Sequence, residues 1–336
     1  MAHKQTIGII GLGMIGGSLA LALKDRYAVV GYDIDDGVRE YARANVCGVA
    51  DSVADMRDCL VVFVCVPVAA MRETLVSVRA ALGEGVIITD VASVKTPFVG
   101  VCTRYVGGHP MAGRERGGIE QAKAHLFENA YYCITDSGED ADIVRAVVEK
   151  TGAIPIFMTA SEHDRAVSAF SHVPHAVAYA SVTAALGESV QPIAGSGFMD
   201  STRIAQSDER FWTEVFKLNR DNVRRGIKAV TAELDKIDGM LEGGDNAALI
   251  EYLAAARQKR IALNRVDLGG EELYVDLVDR IGEFERVTGA LAHAGINVTN
   301  IALVPARTGA NGALRLEFGS VADKLRAMRV LGLKEE

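Results

Sequence analysis

No run of like charge interrupts the 336 residues, and the formal net charge of −8 is spread along the chain. Without a basic patch, the electrostatic footprint of a nucleic-acid-binding or anionic-membrane-binding protein is missing. An acidic chain that binds an anionic substrate must instead concentrate a few cations locally. Cysteine is scarce: Cys47, Cys59, Cys65, Cys102 and Cys133 are odd in number, lack Cys-x-x-Cys spacing and mostly sit in apolar stretches such as LVVFVCVP. They read as reduced core residues of a cytoplasmic protein. Fixed-period repeats and low-complexity tracts are also lacking. The apolar stretch at residues 7–23 resembles a secretory signal only superficially. Gly8, Gly11, Gly13, Gly16 and Gly17 would waste helix propensity there, and a charged KDR triplet follows in place of a cleavage site. No transmembrane or targeting segment is expected.

What is present is an ordinary globular composition, 49% hydrophobic and 24% charged, in a chain long enough for two or three domains. The first third alternates apolar runs (TIGIIG, AVVGYD, LVVFVCVP, GVIITDVAS) with amphipathic stretches such as SLALALKD. That rhythm predicts a doubly wound parallel sheet covered on both faces, the Rossmann-type α/β fold, over residues 1–161. Further strands are expected at RYVGGH, AYYCITD and AIPIFMTA, and a helix near residues 139–150. From residue 162 the strand signals vanish, which predicts an all-α domain over 162–263. Within it, ERFWTEVFKLNRDNVRRGIKAVTAELDKI carries the apolar spacing of one long amphipathic helix. Residues 264–272, NRVDLGGEE, read as a linker. Beyond it ELYVDLVDR, EFERVTGALAHAG, INVTNIALVPA, ALRLEFG and VADKLRAMRVLG predict a small α+β domain over 273–336.

Gly11-Leu12-Gly13-Met14-Ile15-Gly16 follows one predicted strand and opens a helix, and Asp33 closes the next strand 22 residues after Gly11. In that context the motif is a dinucleotide fingerprint. Gly11 permits the tight turn, Gly13 lets backbone amides approach a pyrophosphate, and Gly16 allows close helix-to-strand packing; Met14 and Ile15 lie on the helix N-terminus that faces the phosphate. Asp33 would accept from the ribose hydroxyls, whereas a 2′-phosphate would meet a like charge with no arginine immediately beside it in sequence. NAD is favoured over NADP.

Downstream lie Ser93-Val94-Lys95, then Gly108-His109-Pro110-Met111-Ala112-Gly113, then Ser171-His172-Val173-Pro174-His175, then Gly195-Ser196-Gly197-Phe198 leading to Thr202-Arg203-Ile204-Ala205. Each has a bland reading. His109 beside a proline can be a turn residue, Arg203 a surface arginine, and Lys95 a solvated lysine outside the catalytic set. His172 and His175, three apart on a helix expected to begin at Ser171, can be a metal pair, but no further ligand is obvious; a capped helix with one structural histidine is the other reading, and no metal is expected.

Taken in this order over residues 5 to 260, the series resembles the prephenate and arogenate dehydrogenase family. The resemblance implies an NAD-dependent oxidative decarboxylation of prephenate to 4-hydroxyphenylpyruvate, on the route to tyrosine. It also implies roles. His109 takes the proton of the ring hydroxyl, a task that suits an imidazole, and Ser93 orients it through a hydrogen bond. His175 lies beside nicotinamide and substrate. Arg203 pairs with a substrate carboxylate, and Glu115 lies at the mouth of the site. Ser196 stands where relatives commonly have the middle of three glycines, against the substrate. Arg114 replaces a small hydroxylated residue of relatives and is expected to pair with the pyruvyl carboxylate, favouring prephenate over arogenate. The helical domain is expected to form a homodimer, with Phe211 and Trp212 as candidate interface anchors. The tail, with Gly295-Ile296-Asn297 between helix and strand, resembles an ACT domain whose last strand is short, missing or supplied otherwise. It implies control by tyrosine or phenylalanine, or a module that only stabilises the dimer. Arogenate is the alternative substrate, and a 3-hydroxy acid a more distant one against which the SHVPH and TRIA segments argue. A non-catalytic NAD and amino-acid sensor would have no use for His109, Ser93 and Arg203 together.

Overall fold

The computed structural model describes residues 4–113, 117–185, 193–264, 271–278, 280–304 and 311–333, in two compact units, Met1–Leu234 and Asp235–Glu336. The first begins with β1 (Thr6–Ile10), α1 (Met14–Leu23), β2 (Ala28–Tyr32), α2 (Asp36–Asn45), β3 (Gly48–Val49), β4 (Val61–Val64), α3 (Met71–Leu82), β5 (Ile87–Asp90) and β6 (Tyr105–Val106). The six strands are parallel in the order β3-β2-β1-β4-β5-β6, the doubly wound arrangement with its switch point between β1 and β4. The two-residue period of a strand explains why the central strands are apolar throughout. Ile7, Ile9, Phe63 and Ile87 join Leu19 and Leu23 of α1 in one apolar layer. Ile10, Val62, Val64 and Ile88 join Met71 and Leu75 of α3 in the other.

A second sheet follows, built from β7 (Gly108–Pro110), β8 (Tyr131–Ile134) and, after α4 (Glu139–Glu149), β9 (Ile154–Phe157). In it β7 runs antiparallel to β8 and β9 parallel to β8.

The helical segment opens with α5 (Ala160–Val167), passes through a π-helical turn at Ser168–His172 and continues as α6 (Val173–Ala185). No helix starts at Ser171. The start is at Thr159, whose hydroxyl accepts from the Glu162 amide while the Glu162 carboxylate accepts from the Thr159 amide. Pro174, with no N–H to return to the preceding turn, sits just past the π turn, a usual place for a helix to widen. Next come α7 (Ser196–Thr202), α8 (Glu209–Leu218) and α9 (Arg220–Glu242). The single helix expected over residues 209–237 is therefore broken at Asn219, whose backbone (φ −108°, ψ 27°) leaves the helical region while its buried side chain bonds elsewhere. The helical segment also shares a unit with the nucleotide-type sheet as far as Leu234, because Trp212 and Val215 of α8 pack in the same apolar cluster as Met71, Val94 and Phe98. Trp212 is thus 8% exposed and occupied within its own chain, not available as an interface anchor, whereas Phe211 remains 43% exposed.

The second unit holds the end of α9, α10 (Asn246–Asn264), β10 (Glu271–Val278), α11 (Glu283–His293), β11 (Asn300–Val304), β12 (Asn311–Phe318) and α12 (Val321–Leu331). Its antiparallel sheet has the order β10-β12-β11. Alternate residues Leu273, Val275 and Leu277 of β10 meet Leu314, Leu316, Val287, Leu291 and Ala327 in a separate core. Glu271 and Glu272, expected in the linker, begin β10, and residues 265–270 lie outside the described residues. Among the described residues no strand follows α12, and no helix is long and apolar enough to cross a membrane.

Candidate active site

The glycine turn follows β1 at the C-terminal edge of the parallel sheet. Gly11 has φ +89°, and a Cβ there would stand 2.6 Å from the Cys65 carbonyl oxygen at the end of β4, so a side chain is excluded on both counts. A Cβ on Gly16 would collide with the Gly11 carbonyl. Gly13 differs: a Cβ there meets nothing, and no side chain caps the helix that Met14 and Ile15 begin. An uncapped helix N-terminus over open space, with no acidic residue in its first turn, suits a pyrophosphate. Asp33 braces the turn, its carboxylate accepting from the Leu12 amide at 2.8 Å and the Asp35 amide at 3.0 Å, with lone pairs left for ribose hydroxyls. The residues therefore fit NAD. An arginine does stand beside Asp33: Arg39 of α2 donates to the Asp33 carbonyl and pairs with Asp36. Both partners hold its guanidinium, and neither is the Asp33 carboxylate.

His109 lies on β7, opposite Cys133 of β8. Its position is fixed through its neighbour Gly108, whose N–H donates to Asp90 Oδ1 (2.9 Å) and whose carbonyl accepts from Lys95 Nζ (2.6 Å). Lys95 also pairs with Asp90 Oδ2 at 2.5 Å, both side chains being fully buried. Asp90 ends β5, so the second sheet is clamped to the C-terminal edge of the first. Lys95 is thus no solvated lysine. Burial lowers its pKa, and the Asp90 carboxylate opposes that shift.

The orienting partner of His109 is not Ser93. Ser93 Oγ is buried without a hydrogen-bond partner among the described residues, while His109 Nδ1 lies 2.8 Å from His163 Nε2. His163 Nδ1 lies 2.8 Å from Asp164 Oδ1, and Asp164 accepts the backbone amides of Lys95 and Thr96, each at 2.8 Å. The imidazole of His109 is pushed well below the usual histidine pKa, first by burial and then by His163, Lys95 and His172. It is a neutral ring at physiological pH, as a proton acceptor must be.

His172 is fully buried and turned towards Asn219, whose amide nitrogen reaches both its Nδ1 (3.2 Å) and the Asp164 carbonyl (2.7 Å). Its Nε2 has no partner among the described residues. Burial lowers its pKa to about 4, against the opposing pull of Asp164. His175 instead stacks on Trp212, ring centroids 3.5 Å apart, and its Nδ1 donates to the Ser171 carbonyl at 2.9 Å. Burial lowers its pKa, against the opposing effect of the Ser171 bond, and the charge of Arg203 adds to the lowering. Arg203 and Ser196 are exposed, at the end and start of α7 respectively. Both His172 and His175 pack against Trp212, the first edge-on at 5.8 Å between centroids and the second stacked. Arg114 and Glu115 lie outside the described residues.

Sequence reasoning missed Asp90, Lys95, His163, Asp164, Asn219 and Arg39. Lys95 carried a signal, standing two residues from Ser93 in a buried apolar stretch. His163-Asp164 carried none, since its neighbours ASEHDRAV read as a polar helix start.

Family models account for most of the chain: "Prephenate dehydrogenase, nucleotide-binding domain" matches residues 19–156 and "Prephenate dehydrogenase, dimerization domain" residues 159–255. The prephenate dehydrogenase of Bacillus subtilis is 33% identical over 99% of this chain and 97% of its own length. The prephenate dehydrogenase of Aquifex aeolicus, solved with hydroxyphenyl propionate and NAD+, superposes with a TM-score of 0.72 at 30% identity, covering 77% of this chain and 98% of that one. The arogenate dehydrogenase of Synechocystis gives 0.71 at 28% identity over 77% and 100%. Sequence, nucleotide turn and helical segment agree, and the chain belongs to the prephenate dehydrogenase family.

Proposed function

We propose that the chain is an NAD-dependent oxidoreductase that converts prephenate to 4-hydroxyphenylpyruvate and carbon dioxide in tyrosine biosynthesis. The observation that carries this reading is a neutral, half-buried His109 clamped at the same sheet edge as the glycine turn. NAD, held at the turn of Gly11, Gly13 and Gly16 and by Asp33, would supply the acceptor for the hydride of the ring carbon that bears the hydroxyl. His109 takes the hydroxyl proton through Nε2 as the C–O bond becomes a carbonyl; the bond to the departing carbon dioxide then gives its electron pair to the ring, which becomes aromatic as the carbonyl oxygen takes a proton back and ends as the phenol hydroxyl. Arg203 pairs with a substrate carboxylate, and His175, held by Trp212, lines the space between it and the ring. The orphaned Ser93 Oγ and His172 Nε2 are buried polar atoms that a substrate oxygen or water would satisfy. Ser196 and Glu115 complete the substrate contacts in this reading.

NADH formation at 340 nm with prephenate, comparing the parent with His109→Asn, tests it. Turnover that collapses in a folded, NAD-binding variant is expected; a fully active variant removes His109 as the base. Arogenate is the second reading, favoured by the likeness to an arogenate dehydrogenase. Arg114 then sets the preference, so Arg114→Ser should lower the prephenate-to-arogenate ratio. The same proposal includes domains at 1–161, 162–263 and 273–336 and a homodimer. Ile227, Leu234 and Leu241, exposed at seven-residue spacing on α9, support an intermolecular seam. The strand-helix-strand-strand-helix order of the tail supports an ACT-like module responsive to tyrosine or phenylalanine. Calorimetry without binding of either amino acid would leave it a stabilising module.

A further inference from the structure

We infer that His163 and Asp164 are positioning residues that set the tautomer of His109, holding its Nε2 as a lone pair aimed at the proton to be removed. The inference rests on His109 being the base, and it follows from counting hydrogens along three groups.

Asp164 accepts at both carboxylate oxygens: Oδ1 from the Lys95 amide and Oδ2 from the Thr96 amide. Burial alone would raise its pKa, but the hydrogen bonds from His163 and from Thr96 and Lys95 outweigh it and keep the group ionised. An ionised carboxylate has no hydrogen to give, so the hydrogen between it and His163 Nδ1 belongs to the histidine. With that single ring hydrogen on Nδ1, His163 carries a bare Nε2. At 2.8 Å, His109 Nδ1 must be the donor in the next link, because two lone pairs facing each other there would repel. His109 therefore presents a bare Nε2, the only form in which it can accept a proton from substrate.

Other groups around the pair favour the same assignment. Lys95 reaches the Gly108 carbonyl beside His109 and is matched by Asp90; His172 is held neutral by burial, and its Nδ1 accepts from Asn219. When His109 Nε2 gains the substrate proton, its Nδ1 proton can pass to His163 Nε2. The positive charge then rests beside the Asp164 carboxylate instead of beside the Lys95 ammonium. One proton enters, one moves along, and no other atom changes hands.

The first test reads the tautomer in the parent chain, with His163 and Asp164 left unchanged. Long-range proton–nitrogen NMR of the 15N-histidine-labelled full chain resolves seven histidines, with the His109 signals assigned by their loss in His109→Asn. The expected result is the Nδ1–H form of His109; the Nε2–H form overturns the inference. His163→Phe keeps a flat ring of similar size and removes both nitrogens. It should let His109 redistribute to the other tautomer and lower kcat by roughly 100-fold, the usual worth of a working general base, with KM changed less than about threefold. Retention of both tautomer and kcat in that variant also overturns it. Failure of the base reading would look different: His109→Asn would turn over while the parent still showed the Nδ1–H form.

Discussion

Replacing Lys95 with methionine should destabilise the first unit far more than the loss of one side-chain contact. Lys95 Nζ bonds Asp90 Oδ2 at 2.5 Å and the Gly108 carbonyl at 2.6 Å, and both charged side chains are fully buried. Lys95→Met retains most of the aliphatic packing but leaves a buried carboxylate without a counter-charge, a change that costs about 3–5 kcal/mol. The orphaned Gly108 carbonyl adds about 1 kcal/mol or more. A loss near 4 kcal/mol lowers the midpoint of a unit this size by roughly 10 °C. Asp90→Asn should cost less, because burial already lowers the Lys95 pKa and an ammonium without its partner can shed its proton. The double variant Asp90→Asn/Lys95→Met should recover much of the loss, since an uncharged pair leaves no unpaired charge. Trp212, the sole tryptophan, lies in the apolar cluster that contains Val94, so urea unfolding followed by its fluorescence reports this unit. A Lys95→Met loss below about 1 kcal/mol would refute the buried ion pair as the clamp on β7. Turnover should fall as well, because a displacement of about 1 Å in His109 is enough to cost roughly 100-fold.

Two further outcomes follow from the same geometry. Gly13→Ala should change stability by less than about 0.5 kcal/mol, since its Cβ meets no protein atom, yet weaken NAD binding at least about tenfold in a calorimetric titration. Gly11→Ala should lower both, through its positive φ and the Cys65 carbonyl; equal stability losses in the two variants would show that the space above Gly13 is not the phosphate site. His172, held at about 4 when folded against an ordinary value near 6.5, refuses a proton that the unfolded chain accepts. Its contribution to stability is intact above pH 6.5 and falls by about 3 kcal/mol as pH drops to 4. Unfolding free energies for His172→Gln should therefore show a shallower acid slope than the parent, and identical slopes would remove His172 as the cause.

The nucleotide turn was legible in the sequence because its chemistry is local. Gly11 needs its positive φ, the Gly11 carbonyl leaves no room for a Cβ on Gly16, Gly13 stands between them at the helix start, and Asp33 arrives at the end of the very next strand. The doubly wound sheet was legible for a similar reason: buried parallel strands must be apolar on both faces, and the runs at β1, β4 and β5 announce it. His109 and Arg203 could be singled out only through a resemblance. What tertiary structure alone decided was the set of partners. His163 and Asp164 lie more than fifty residues from His109, in a stretch whose pattern is that of an ordinary helix start, and Asn219 reaches His172 across 47 residues. Hydrogen bonds of that kind depend on distances between elements, which no periodicity encodes. For the same reason Lys95 could pass for a solvated lysine, Trp212 for an interface residue and Ser93 for the partner of His109. Propensity and pattern determined which segments became strands and helices; the packing of β7 and α5 against the end of β5 decided which partners His109 received.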